Sequence, residues 1–233
     1  MTMLKTNENG RSMIEMLGVL AIIGVLSVGG IAGYSKAMNK FKTNKVADNV
    51  SMLVANIKTM YAQQKTYGGL TTTTAHDMGL VPDELVKKSG NTTSYKNAFN
   101  GDVEIHAASS TNGTTSDSKA FVIYFGGLSK EACITLATND WGSGYSSGLI
   151  ALQAAATSDA ADATNGVKNA LDLIVIGANA NAVATTTAGS EKAIAMPGAT
   201  GSGQLAVPMS VSAAANACAC KTGNKCSITW KYY

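Results

Sequence analysis

The chain is 233 residues long and only 14% charged, with 18 basic against 15 acidic side chains and a formal net charge of +3. That balance supplies neither the basic field that grips nucleic acid nor an acidic tail, so no direct nucleic-acid partner is expected. With 24 glycines, 3 prolines and a second half crowded with Ala, Thr, Ser and Asn, the length suits one membrane helix followed by one loop-rich globular domain.

Residues 1–10, MTMLKTNENG, form a polar leader that is excluded from the fold. From Met16 to Ser35 no side chain is charged, and a helical run of that length reaches about 30 Å, the thickness of a bilayer's hydrocarbon core. A carboxylate, Glu15, abuts the leading edge of this block, and Gly10 stands five residues before it. A charge at the centre of a membrane helix costs roughly 2.5 to 3.5 kcal/mol, less near the interface, and ordinarily has a partner. Gly29 and Gly30 are adjacent, and each costs about 1 kcal/mol of helix propensity relative to alanine, so any loosening of the helix is expected there. Gly29 and Gly33 also form a small-xxx-small pair suited to close helix contact. A secretory signal peptide is the competing reading, with Lys5 and Arg11 as its positive region and Gly30-Ile-Ala32 as a loose cleavage site. It leaves the placing of Glu15 and Gly10 without a reason.

Beyond the apolar block the pattern becomes periodic. Val46, Val50, Leu53, Val54, Ile57, Met60 and Tyr61 recur at spacings of three and four among polar residues, which predicts that the same helix continues from Met13 to about Gln64. Gly68-Gly69 is its stop signal. Three parts follow: a leader over 1–10, a long helical region over 11–67 with 13–35 as its apolar span, and a globular head over 68–233.

From Leu70 to Ser118 the chain is polar and punctuated, with a short helix expected after Pro82 over Asp83–Lys88. Asp102–Ala107 alternates as a half-buried strand and Ala120–Phe125 is a β-rich run bounded by Gly126-Gly127; together they predict a hairpin. Ser129 is placed to cap a helix over Lys130–Ala137 that holds Cys133. Between Ala151 and Gln204 the composition approaches low complexity, so exposed loops are expected around a single strand at Leu171–Ile176. Ser227–Tyr233 is the last strand, with Ile228 and Trp230 on one face, and is expected to close the sheet.

Four cysteines, Cys133, Cys218, Cys220 and Cys226, are an even count in a chain with an export-like start, which favours disulfides. Cys218 and Cys220 are too close to bridge easily. One of them is expected to reach Cys133 and the other to close a small loop with Cys226. A metal site of clustered cysteines is the alternative, but no histidine lies near them. No nucleophile motif or nucleotide loop is present: Gly198-Ala-Thr-Gly-Ser-Gly203 lacks the Gly-Lys-Ser/Thr ending that places charge on phosphates. No catalytic residue, cofactor or metal is therefore expected, and an anchored or secreted hydrolase finds no constellation in the two histidines and scattered acids.

A short polar leader ending in glycine, a glutamate five residues on and an apolar helix of this length resemble the type IV prepilins. The resemblance implies cleavage after Gly10 by a prepilin peptidase, Arg11 as the new amino terminus, and Glu15 as the assembly glutamate that meets a neighbouring copy's terminal amine. The family usually has a phenylalanine or methionine after the cut, commonly N-methylated, where this chain has Arg11, and it often has a mid-helix proline, which this chain lacks. The cysteine-bounded tail, Leu128-Ser-Lys-Glu-Ala-Cys-Ile-Thr-Leu-Ala-Thr138, Asp140-Trp141 and the ending Ile228-Thr-Trp-Lys-Tyr-Tyr233 resemble the type IVb pilins of the thin-pilus subgroup, which includes major pilins of conjugative plasmids. Two cysteines beyond the usual single bridge, and the short leader, depart from many members. The resemblance implies an α+β type IV pilin fold, a long amino-terminal helix packed on an antiparallel sheet with a disulfide-bounded carboxyl-terminal region. It also implies a major pilin, held in the inner membrane as a prepilin and then polymerised with other copies of itself into a surface filament for adhesion or conjugative mating contact. Its partners would be the peptidase, an inner-membrane assembly platform and a host or recipient cell-surface receptor. A type II secretion pseudopilin or a minor pilin would share the same amino-terminal motif.

Overall fold

The computed structural model describes residues 13–110, 117–142, 147–156, 192–197, 205–220 and 226–233. Helix α1 (Met13–Tyr61) is 49 residues long and free of proline, with Glu15 in its first turn and Lys58 in its last, both complementary to the helix dipole. The chain divides after Phe41 into two compact units. Within the second unit α1 buries Val46, Val50, Leu53 and Ile57, one apolar stripe at the helical repeat. The helix stops three residues short of Gln64. The Gln64 amide turns back to the Tyr61 carbonyl at 2.8 Å, and the Tyr67 amide donates to Ser118 at 2.6 Å, drawing the chain off the helical path.

The stripe packs on a sheet built from β3 (Val103–Ala108), β4 (Ala120–Leu128), β5 (Leu149–Ala155), β6 (Lys192–Met196), β7 (Leu205–Ala206) and β8 (Cys226–Tyr232). Their order is β3-β4-β8-β5-β6-β7, antiparallel throughout except for the β6–β7 pair. Alternation along each strand sends Phe121, Ile123 and Phe125 of β4, Leu152 and Ala154 of β5, and Ile228 and Trp230 of β8 to the face that meets α1. Val122, Tyr124, Ala151 and Ile194 form a second apolar cluster on the opposite face. The hairpin of β3 and β4 has the register Ile105↔Ile123, and helix α3 (Lys130–Ala137) follows, its first turn capped by Ser129, whose hydroxyl accepts from the Ala132 amide.

Four expectations need correction. Strand β8 does not close the sheet; it lies inside it, Trp230 facing Ile123 of β4 on one side and Leu152 of β5 on the other. Residues 83–88 do not form a helix. A single 3-10 turn spans Asp83–Leu85, after which β1 (Val86–Ser89) pairs with β2 (Thr92–Tyr95) around Gly90, whose φ of 58° suits a tight reversal. The described parts of the stretch from Ala151 to Gln204, residues 151–156 and 192–197, are not exposed loop: β5 and β6 pair through Ala154↔Ala193 and Leu152↔Ala195, all buried. Their small side chains allow close approach of helix α4 (Val211–Ala217), which packs on β6 and α3. The polar region after Leu70 also holds a further helix, α2 (Thr72–Asp77), fixed by a reciprocal capping box between Thr71 and Thr74. The expected strand at Leu171–Ile176 lies outside the described residues.

Candidate assembly surface and disulfide clamp

The amino-terminal half of α1 is an exposed apolar surface, uncovered by any of the described residues. Ile14 is 79% exposed, Val25 75% and Val28 71%, and Leu17, Leu20, Ile23, Leu26 and Ile31 are each more than half exposed. Side chains at consecutive positions point to every side of the helix, so no rotation could hide them; a helix apolar all round is built for burial in a bilayer or among other helices. From 13 to 35 it rises about 35 Å, enough to cross a hydrocarbon core.

Glu15 sits in the first turn of this surface, exposed. Among the described residues no cation pairs with it. The positive end of the helix dipole stabilises a carboxylate there, yet burial in lipid or in a helical bundle calls for a countercharge, which none of the described residues supplies. Gly10 and Arg11 lie outside the described residues. Gly29 and Gly30 are helical and α1 runs unbroken through them; a Cβ at either would meet no other part of the protein, so packing within one copy does not require glycine there. Ser27 donates its hydroxyl to the Ile23 carbonyl at 2.7 Å, satisfying itself within the helix.

Within the second compact unit the cysteines form a covalent clamp. Cys133 in α3 bonds Cys218 at the carboxyl end of α4, with Cα atoms 5.9 Å apart and a sequence separation of 85. Cys220 bonds Cys226, the first residue of β8, with Cα atoms 5.5 Å apart. Sulfurs of Cys133, Cys218 and Cys226 lie within 4.8 Å of one another. All three are committed to disulfides, so none offers the thiolate a metal ion needs. Trp141 seals the base of α3, donating its indole N–H to the Leu136 carbonyl at 2.7 Å and meeting Trp230 edge-on at 5.0 Å. Helix α4, which carries Cys218 into place, was not foreseen. Its signal was present: Ser210, whose hydroxyl accepts from the Ala213 amide, precedes the alanine-rich run Val211-Ser-Ala-Ala-Ala-Asn-Ala217. The histidines do not assemble a catalytic group among the described residues; His106 pairs with Glu104 at 3.0 Å and His76 stacks edge-on against Tyr95.

Several known proteins are similar to this chain. The chain is 28% identical over 140 residues, 59% of its length and 68% of theirs, to the major structural subunit of bundle-forming pilus of Escherichia coli O127:H6 and of Escherichia coli O111:H-. Among solved structures it is similar to TcpA, a type IV pilin from Vibrio cholerae El Tor biotype, with 17% identity, 82% of this chain and 99% of that one covered, and a TM-score of 0.48. It is also similar to a type IVb pilin from Salmonella typhi, with 14% identity, 79% and 95% covered, and a TM-score of 0.44. Residues 40–188 match the family model described as PilS N terminal, more than half of the chain, and the protein belongs to that family.

Proposed function

We propose that the protein is the major structural subunit of a type IVb pilus. It is made as a prepilin with residues 1–10 as leader, cut after Gly10 by a prepilin peptidase, and held in the inner membrane by residues 13–35. An assembly platform then draws it into a filament in which the apolar half of α1 packs against the same segment of other copies, and the head, residues 68–233, faces outward for adhesion or mating contact. One observation carries this reading: a single helix exposes its apolar first half on every side while its second half is buried against the sheet. A free globular protein has no use for such a helix, and a lone anchor has no use for Glu15 at its edge. The activity is assembly and surface contact, not catalysis.

The amino-terminal sequence and mass of the protein recovered from membranes and from sheared surface filaments test it. A terminus at Arg11 in both fractions, with this chain the most abundant filament component, is the expected result. A terminus near Gly33 would mean a signal peptide and overturn the reading. Recovery at Arg11 but only in trace amounts in filaments would assign a minor pilin or pseudopilin instead.

A further inference from the structure

We propose that a recess between the end of α1 and Tyr233, the residue after β8, binds a carboxylate-bearing sugar of an acidic glycan. It lies wholly within the second compact unit and encloses about 290 Å³ lined chiefly by Lys58, Tyr61, Lys65, Tyr67, Lys119 and Tyr233. That is the small end of the range for ligand pockets, suited to one ring and not to a length of folded chain.

The recess has the charge of an anion site. Among the described residues no carboxylate, side-chain or terminal, pairs with Lys58, Lys65 or Lys119. Lys65 and Lys119 are exposed, whereas Lys58 is held in place: its ammonium donates to the Ser147 carbonyl at 2.9 Å and sits 5.2 Å above the Tyr232 ring. Burial lowers the Lys58 pKa, so a bound anion would relieve a partly desolvated cation that has no carboxylate partner among the described residues.

The recess also has the surface of a sugar site. Tyr61 and Tyr67 both line the recess, packed on each other with ring centroids 5.2 Å apart and tilted by 40°. Tyr67 is fixed from behind by Phe121, 4.8 Å away, and through its amide by Ser118. Tyrosine joins an apolar face to a hydroxyl, the combination that suits a ring with C–H bonds on its face and hydroxyls on its edge. Gln64 and Thr66 add polar groups at the wall. A simple phosphate or sulfate would use the lysines and leave the aromatic faces idle, and an extended acidic peptide would not fill a one-ring recess.

Saturation-transfer NMR on the full chain in detergent micelles tests this, with glucuronate, glucose and the peptide Glu-Glu-Glu as probes. The measurement uses unassembled protein, so its outcome is independent of whether the chain forms filaments. Glucuronate is expected to bind, with transfer to its ring protons, and glucose to bind at least about tenfold more weakly for want of the charge-assisted contact. The exposed double substitution Lys65→Gln, Lys119→Gln should weaken glucuronate about tenfold, and Tyr61→Leu should reduce transfer to the ring protons in a chain whose near-UV spectrum is unchanged. Equal binding of glucose and glucuronate, no binding of either, or tighter binding of Glu-Glu-Glu that is insensitive to Tyr61→Leu would each overturn the proposal, the last in favour of an acidic protein segment.

Discussion

Cys133 and Cys218 are joined across a sequence separation of 85, tying α3 to the end of α4, while Cys220 and Cys226 close a loop of separation 6 just before β8. The two bridges meet at one point of the fold but restrain very different lengths of unfolded chain. In the chain-entropy picture the long loop contributes about 4.5 kcal/mol and the short one about 2 kcal/mol. Replacing Cys133 and Cys218 by alanine should therefore lower the free energy of unfolding by roughly twice as much as replacing Cys220 and Cys226, as read from denaturant titrations of the two double variants. Equal losses would show that the bridges act through native packing and not through the unfolded chain.

The proposed role of Glu15 is in assembly. Glu15→Leu removes a carboxylate that has no partner within one copy among the described residues, so the head should fold and the leader should be cut as before. Incorporation should fall, because the variant offers no countercharge to the terminal amine of a neighbour. Counting filaments by electron microscopy alongside the mass of the membrane-bound protein separates the two steps. Filaments of normal number and length would sink the proposed role.

Within the large sheet the concealed strands include the alanine-rich β5 and β6. Phe121, Ile123, Trp230 and the stripe from Val46 to Ile57 announce themselves by period and size, and so do the Ser129 cap and the apolar first half of α1. Ala154 and Ala193 do not: alanine is a poor strand former, and its place here is decided by the closeness of α4 to the sheet, a tertiary fact invisible to local pattern. The cysteines are legible as a disulfide set, whereas the tyrosine and lysine recess draws on distant parts of the chain, from Lys58 to Tyr233, that no spacing relates. The packing account makes a prediction. Ala154→Leu, apolar and harmless by composition, should destabilise the head by about 1 to 3 kcal/mol through overpacking, while Ala62→Leu, at an exposed position, should change stability by less than about 0.5 kcal/mol. Thermal unfolding of the two variants decides it.

A second close approach lies at Gly101. A Cβ there would run into the backbone carbonyl of Gly126, and backbone cannot swing aside as a side chain does. Asn97 completes the junction: its amide donates to the Gly126 carbonyl at 2.7 Å, and its carbonyl oxygen accepts from Phe99 at 2.8 Å and Gly101 at 3.2 Å. Gly101→Ala should cost about 2 to 3 kcal/mol. Asn97→Ala, which strands the buried amides of Phe99 and Gly101 without their acceptor, should cost a similar amount, about 1 to 3 kcal/mol. Because both act on one junction, the double variant should be less destabilised than the sum of the two. Strict additivity in a double-mutant cycle would count against a shared junction.

Asp117 sets the acid limit of the connection between β3 and β4. Burial alone would push its pKa up, but hydrogen bonds oppose that. The carboxylate accepts from the Ser110 hydroxyl at 2.6 Å, the Ser110 amide at 2.8 Å, the Lys119 amide at 3.1 Å and the Ser109 hydroxyl at 3.3 Å, and together they hold the pKa down to about 2. A carboxylate depressed in the folded state stabilises that state above its unfolded value, near 3.8, and the contribution fades as pH falls from there through about 2. The Ser110 and Lys119 amide resonances should therefore titrate together with a midpoint near 2, and in Asp117→Asn both should be insensitive to pH over the same range. Stability of the variant should be lower than that of the parent at neutral pH, with the gap narrowing as acid protonates the parent. The group is largely open to solvent, so the gap should be modest and should shrink in high salt. A midpoint near the ordinary carboxylate value would show that the four hydrogen bonds do not persist in solution.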